Sequence, residues 1–170
     1  MATVEEIGAL LGEPRFHWSD PGPWTALEQE LGVRFPTDFR EVTDAYGPVV
    51  INGHLQLDHP GHRFRNLGER IREEIGFWQE EDLAEFLPHR AGPGPGELLP
   101  VATGSQAEYV FLRVPREPSQ PWAVGVQEMD TWEFVLHEMT FGDWLLAYLK
   151  GEDVMVGATV PARPSYTSLA

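Results

Sequence analysis

Residues 98–136 read LLPVATGSQAEYVFLRVPREPSQPWAVGVQEMDTWEFVL, and their period decides the fold class. Tyr109, Phe111 and Arg113 alternate with Val110, Leu112 and Val114. Trp122, Val124 and Val126 alternate with small or polar residues, and Trp132, Phe134 and Leu136 do so again. A period of two marks strands, since successive side chains leave a strand on opposite faces. Pro115, Pro118 and Pro121 punctuate the run and place a turn over 115–121. A strand also begins at Leu98–Val101. Four or five strands at this spacing predict an antiparallel sheet.

On the N-terminal side the period lengthens. Trp24, Leu27 and Leu31 recur at helical spacing, and Gly32 stands where a left-handed cap belongs. Pro36 breaks the chain, Thr37 is placed to cap a second helix, and Asp38 falls in its positive first turn. Phe39, Val42 and Tyr46 form that helix's apolar stripe, and Gly47-Pro48 stops it. Val49, Val50 and Ile51 precede Asn52-Gly53, the strongest short hairpin signal, and Leu55 and Leu57 alternate beyond it. Leu67, Ile71, Ile75 and Trp78 outline a long helix whose charged positions run on to Glu85. Residues 88–96 are a loop by composition.

The C-terminal side closes with a helix. Thr140 caps it, Phe141, Trp144, Leu145, Tyr148 and Leu149 form its stripe, and Gly151 ends it. Residues 1–23 read as a leader with a short helix at Val4, Ile7, Leu10 and Leu11 and a Pro-rich link. Residues 152–170 have little pattern and read as a tail. The expected architecture is α+β: a largely antiparallel sheet over 24–151 with helices packed on it.

Composition narrows the function classes. The chain has 170 residues, 42% hydrophobic, enough for one domain with a sizeable core. With no cysteine, disulfides, thiolate nucleophiles and Cys-based zinc sites are excluded. The first eleven residues carry Glu5 and Glu6 and no base, unlike a signal peptide, and no stretch approaches a transmembrane helix. These features predict a cytoplasmic protein. Twenty-seven acids against twelve bases give a net charge of −15, which repels nucleic acid and anionic membranes and attracts basic partners.

Trp24-Thr-Ala-Leu27-Glu28-Gln-Glu-Leu31-Gly32-Val-Arg-Phe35-Pro36-Thr-Asp38-Phe39-Arg40, followed by Tyr46-Gly47, resembles the opening signature of the SUKH superfamily. That superfamily contains bacterial toxin-immunity proteins and fungal cell-wall assembly regulators. Leu55-Gln-Leu57, Leu98-Leu99-Pro100-Val101 and Thr140-Phe141-Gly142-Asp143-Trp144-Leu145 are similar to its later segments, in the same order. The resemblance covers about residues 20–151. It departs from the family after the second helix, where Gly47 is followed by Pro48 rather than a second glycine, and in Thr103-Gly104-Ser105 after the middle strand. The matched residues Trp24, Leu27, Leu31, Gly32, Pro36, Phe39, Tyr46 and Gly47 are core, caps and breaks. They imply a scaffold, and the resemblance implies a binding function.

The expected function is therefore immunity, by stoichiometric occlusion of a cognate toxin effector with a basic surface, such as a nuclease. Glu80, Glu81, Asp82 and Glu85 form the candidate partner-binding patch, with Trp78 as the aromatic anchor beside it. The same residues fit a solvated helix face. A regulatory or scaffold module is the alternative, and a metal-dependent hydrolase using His54, Asp58, His59 and His62 is the less favoured one. Those four residues have no helical ligand spacing, and neither a nucleophile elbow nor a phosphate cradle is present, so no enzyme activity and no cofactor is expected.

Overall fold

The computed structural model of the chain describes residues 1–155 and 161–170. Seven strands form one antiparallel sheet in the order β6-β5-β4-β3-β2-β1-β7. They are β1 (Val49–Ile51), β2 (Leu55–Leu57), β3 (Leu98–Gly104), β4 (Glu108–Arg113), β5 (Ala123–Glu128), β6 (Glu133–His137) and β7 (Tyr166–Ser168). The helices are α1 (Val4–Leu11), α2 (Gly22–Leu31), α3 (Thr37–Tyr46), α4 (Leu67–Trp78), the single turn α5 (Glu81–Ala84) and α6 (Phe141–Leu149). The α+β expectation holds.

The alternation along β4 sorts the interior into two clusters. Val110 and Leu112 join the main core with Trp24, Phe39, Ile51, Leu57, Val124, Val126 and Trp144. Tyr109 and Phe111 point to the other face, where Trp78, Leu87 and Leu98 complete a smaller cluster. α4 spans both, through Leu67 and Ile71 in the first and Trp78 in the second. The N-terminal helix is built into the main core by Ile7 and Leu11 rather than lying apart as a leader.

Local chemistry sets most element ends. Thr3 and Glu6 form a reciprocal capping box at α1. Gly32 closes α2 at φ 68°, a left-handed conformation that favours glycine. Asn52 and Gly53, both at positive φ, are the central residues of a turn closed by His54 N donating to the Ile51 carbonyl at 2.9 Å, in the three-residue connection between paired Ile51 and Leu55. Pro100 lacks an N–H, and the β3–β4 register shifts between it and Ala102. Thr140 caps α6 as expected. Thr37 does not cap α3: Pro36 occupies the cap position and offers no side-chain hydrogen bond. Asp38 instead accepts from the Phe39 amide and, across the core, from Gly142 N at 2.7 Å.

Three further readings are corrected. The long charged helix is two elements, broken at Gln79–Glu80. Trp132 belongs to the turn before β6, at φ 61°, not to a strand. The tail supplies β7, which pairs antiparallel with β1 from Val49↔Ser168 to Ile51↔Tyr166. Residues 156–160 of that tail lie outside the described residues.

α4 also carries a buried carboxylate. Glu74 is buried, its Oε2 has no hydrogen-bond partner, and Arg70 lies 3.4 Å from Oε1 while also binding Asp58 at 2.8 Å. Burial pushes its carboxyl up to about 7 against the pull of Arg70. A raised folded-state pKa favours the folded protein below the ordinary value of 4.5, and that contribution is lost as pH rises through about 7. Glu74→Gln is therefore expected to stabilise the protein by about 2 kcal/mol at pH 8 and to change little at pH 4. Urea unfolding at the two pH values checks this; an equal effect at both would disprove it.

Candidate protein-interaction surface

The acidic segment follows Trp78, and Trp78 determines where it lies. Its indole packs edge-on against Tyr109, with centroids 5.1 Å apart, and against Phe111 at 5.9 Å. Gln79 Nε2 donates to the Ala91 carbonyl at 2.9 Å and fixes the chain beyond the helix. α5 then lies over the smaller cluster with Leu83 and Phe86 turned inward. Glu80, Glu81, Asp82 and Glu85 are all exposed. Among the described residues, none of the four carboxylates makes an ion pair within 4.0 Å.

Trp78 is not the exposed anchor. It is 1% accessible, because α4 drives it under the sheet face rather than out beside the acids. Trp132 takes that position: it is 42% exposed, and Phe86 stacks on it with centroids 3.9 Å apart at 24°. Glu128 builds the turn that presents it. This buried carboxylate accepts from Thr131 Oγ1 at 2.6 Å and from the amides of Asp130 and Thr131 at 2.9 Å each. The Thr131 hydroxyl, with those amides, holds the Glu128 carboxyl below its ordinary range, against the opposing effect of burial.

The Phe86–Trp132 stack joins α5 to the β5–β6 turn. The carboxylates in and flanking α5 are thereby brought to the same side as exposed Asp130 and Glu133 and the half-exposed edge-strand residue Val135. A cleft of about 530 Å³, lined by Trp78, Ala84, Leu87, His89 and Arg90, gives this side of the molecule a concavity. The arrangement brings an exposed aromatic stack together with several unpaired carboxylates on a preformed scaffold, with Arg90 in the adjoining cleft. Such a surface suits a protein partner carrying lysine or arginine.

The histidine group does not converge. His54 Nε2 donates to Glu108 Oε2, and its Nδ1 lies 3.0 Å from the Tyr148 hydroxyl. Burial raises the Tyr148 phenol above its ordinary value. Asp58 is engaged by Arg70. His59 is fully buried: its Nδ1 accepts from Gly61 N at 2.9 Å, and its Nε2 donates to Asp44 Oδ1 at 2.7 Å. His62 Nδ1 accepts from the amides of Phe64 and Arg65. No three His, Cys, Asp or Glu side chains are grouped to hold a metal among the described residues.

The family-signature residues occupy structural positions. Trp24, Leu27, Phe39 and Tyr46 are buried in the main core, Leu31 is half-buried against it, and Gly32, Pro36 and Gly47 mark helix ends. Trp24 Nε1 also donates to Asp44 Oδ1 at 2.8 Å, so a core tryptophan and the buried His59 share one carboxylate. Among the described residues, no helix is long and apolar enough to cross a membrane. Comparison with protein-family models finds no match, and comparison with curated proteins finds none either.

Proposed function

We propose that this chain is a SUKH-like immunity protein that binds a cognate effector with a basic surface and blocks it stoichiometrically. The observation that carries the reading is the run of exposed, unpaired carboxylates that leads into Phe86, which stacks on the exposed Trp132. The net charge of −15 steers a basic partner toward the molecule, and the carboxylates nearest the stack orient it. Trp132 then supplies the desolvated aromatic contact that concentrates binding energy. A cytoplasm-acting nuclease fits this chemistry, because its own site is built to hold phosphates and accepts carboxylates in their place. In this reading the chain works in the cytoplasm, without cofactor and without chemistry of its own.

The test is affinity capture from native lysate across a salt series, run in parallel with wild type, W132A and the triple variant E81K/D82K/E85K. All four positions are exposed, so folding is spared. The expected result is one basic protein, held at low salt by the wild type. Its affinity should fall by about tenfold or more with W132A and be lost with the triple variant. A partner retained equally by all three would refute the assignment of this surface. Recovery only of proteins without a basic face would favour the scaffold module.

A further inference from the structure

A second surface has the opposite charge. Phe64 is 79% exposed and Phe16 is 51% exposed, the two largest aromatic exposures in the described chain. They are ends of one series of rings: Phe16 meets Trp18 edge-on at 5.2 Å, Trp18 meets His62 at 6.5 Å, and His62 meets Phe64 at 6.4 Å. Trp18 is seated by stacking on buried His59 at 4.1 Å and 12°, and by donating from Nε1 to the Gly47 carbonyl at 2.8 Å. Arg63 and Arg65 adjoin Phe64 in sequence, both exposed and neither within 4.0 Å of a carboxylate among the described residues, while the Arg15 guanidinium beside Phe16 lies over the Tyr166 ring at 5.9 Å. Residues 14–19 and 59–66 contain no acid at all.

The loop that presents Phe64 is held in place. Phe64 N and Arg65 N donate to His62 Nδ1, at 3.2 and 2.9 Å. Asn66 Nδ2 donates to the carbonyls of Pro60 and His62, and His59 N donates to the Arg65 carbonyl at 3.1 Å. The Arg63 guanidinium lies 5.3 Å from the Phe64 ring centroid. An apolar ring fixed in water contributes nothing to folding, and its fixed conformation lowers the entropy cost of binding.

We propose that this surface binds a short acidic peptide segment bearing an apolar or aromatic side chain. Arg63 and Arg65 select carboxylates, with which arginine forms bidentate pairs, and Phe64 and Phe16 accept the apolar residue. The size of the ligand follows from the range of the field. At physiological salt, charges further away than about 8 Å are screened, so a short segment meets only the local cationic patch. A nucleic-acid strand or an anionic bilayer extends past the patch onto a molecule of net charge −15 and is repelled there.

The probe is a short fluorescein-labelled peptide of Glu and Asp around a central Leu, followed by anisotropy. The controls are the same peptide with Lys for every acid and a labelled oligo-dT strand. Wild type is expected to bind the acidic peptide and not the oligo-dT strand; the Lys peptide, which the acidic face attracts, should respond to E81K/D82K/E85K and not to F64A or R63E/R65E. F64A should weaken binding by about tenfold, and R63E/R65E should remove it. E81K/D82K/E85K should leave it intact, which separates this site from the acidic face. The substituted side chains are exposed, so unchanged urea midpoints are expected to accompany the losses. No binding of the acidic peptide, equal binding by F64A and R63E/R65E, or preference for oligo-dT would each overturn the proposal.

Discussion

Replacement of His59 by alanine is expected to destabilise the protein by about 4 kcal/mol. The imidazole is completely buried and meets three groups at once. It bonds Asp44 and the Gly61 amide and supports the Trp18 ring. Alanine leaves a cavity under an indole, an unpaired amide in the 59–66 loop and a carboxylate with one donor fewer. Asp44 keeps its bond from Trp24 Nε1, which limits the loss. The variant should also lose pH dependence. Burial lowers the His59 pKa from 6.5 despite Asp44, so the folded state holds it neutral. A depressed folded value gives stability that is present above about pH 6.5 and lost as pH falls below it. Glu74 acts in the opposite direction over the neighbouring range. Acid sensitivity of the wild type is therefore partly masked, should be exaggerated in E74Q and reduced in H59A. Urea midpoints from pH 5 to pH 8 measure this, and an H59A protein within about 1 kcal/mol of wild type at pH 7.5 would show that the site is not coupled to folding.

His54→Ala is expected to cost about 3–4 kcal/mol for a different reason. Glu108 is 1% exposed, and among the described residues its Oε1 has no partner and the only bond to Oε2 comes from His54. The carboxylate occupies space that Gly104 leaves open. Removing His54 strands a buried charge, which costs more than the pair contributes when intact. A second change decides the cause. E108Q added to H54A removes the charge and should recover about 2 kcal/mol, although it deletes another native group. If the two losses simply added, packing rather than the stranded carboxylate would be the explanation.

How much of this was legible in the sequence varied with how local the signal was. Helix stripes such as Phe39-Val42-Tyr46, the Asn52-Gly53 turn, and the alternation of β4 each contain their own cause within a few residues, and these agree with the structure. β7 carries no such signal: three residues become a strand only because β1 offers an edge. Which of the two tryptophans is exposed was illegible for a similar reason. Trp78 and Trp132 both follow apolar periodicity, and only the packing of α4 and the Glu128-centred turn separates the buried ring from the exposed one. Buried acids were unreadable as well. Glu74, Glu108 and Glu128 resemble the other acids in composition, and their environment is set by Arg70, His54 and Thr131, two of them a helical or turn neighbour and one far away in sequence. The Phe16–Phe64 surface joins segments some fifty residues apart through Trp18 and His62, a juxtaposition that neither segment discloses.

The pairing of β7 with β1 has a practical meaning for how the chain is handled. Val49, Val50 and Ile51 are β-branched, and with Tyr166–Ser168 in place their outer hydrogen-bonding row is covered. The Tyr166 hydroxyl also donates to the Glu13 carbonyl at 2.6 Å, and its ring meets Tyr46. Three residues near the C-terminus thus act as a selvedge, sewing the sheet's margin to the N-terminal segment. A version trimmed after α6 would keep nearly all of the core and still present a raw, sticky border to its neighbours.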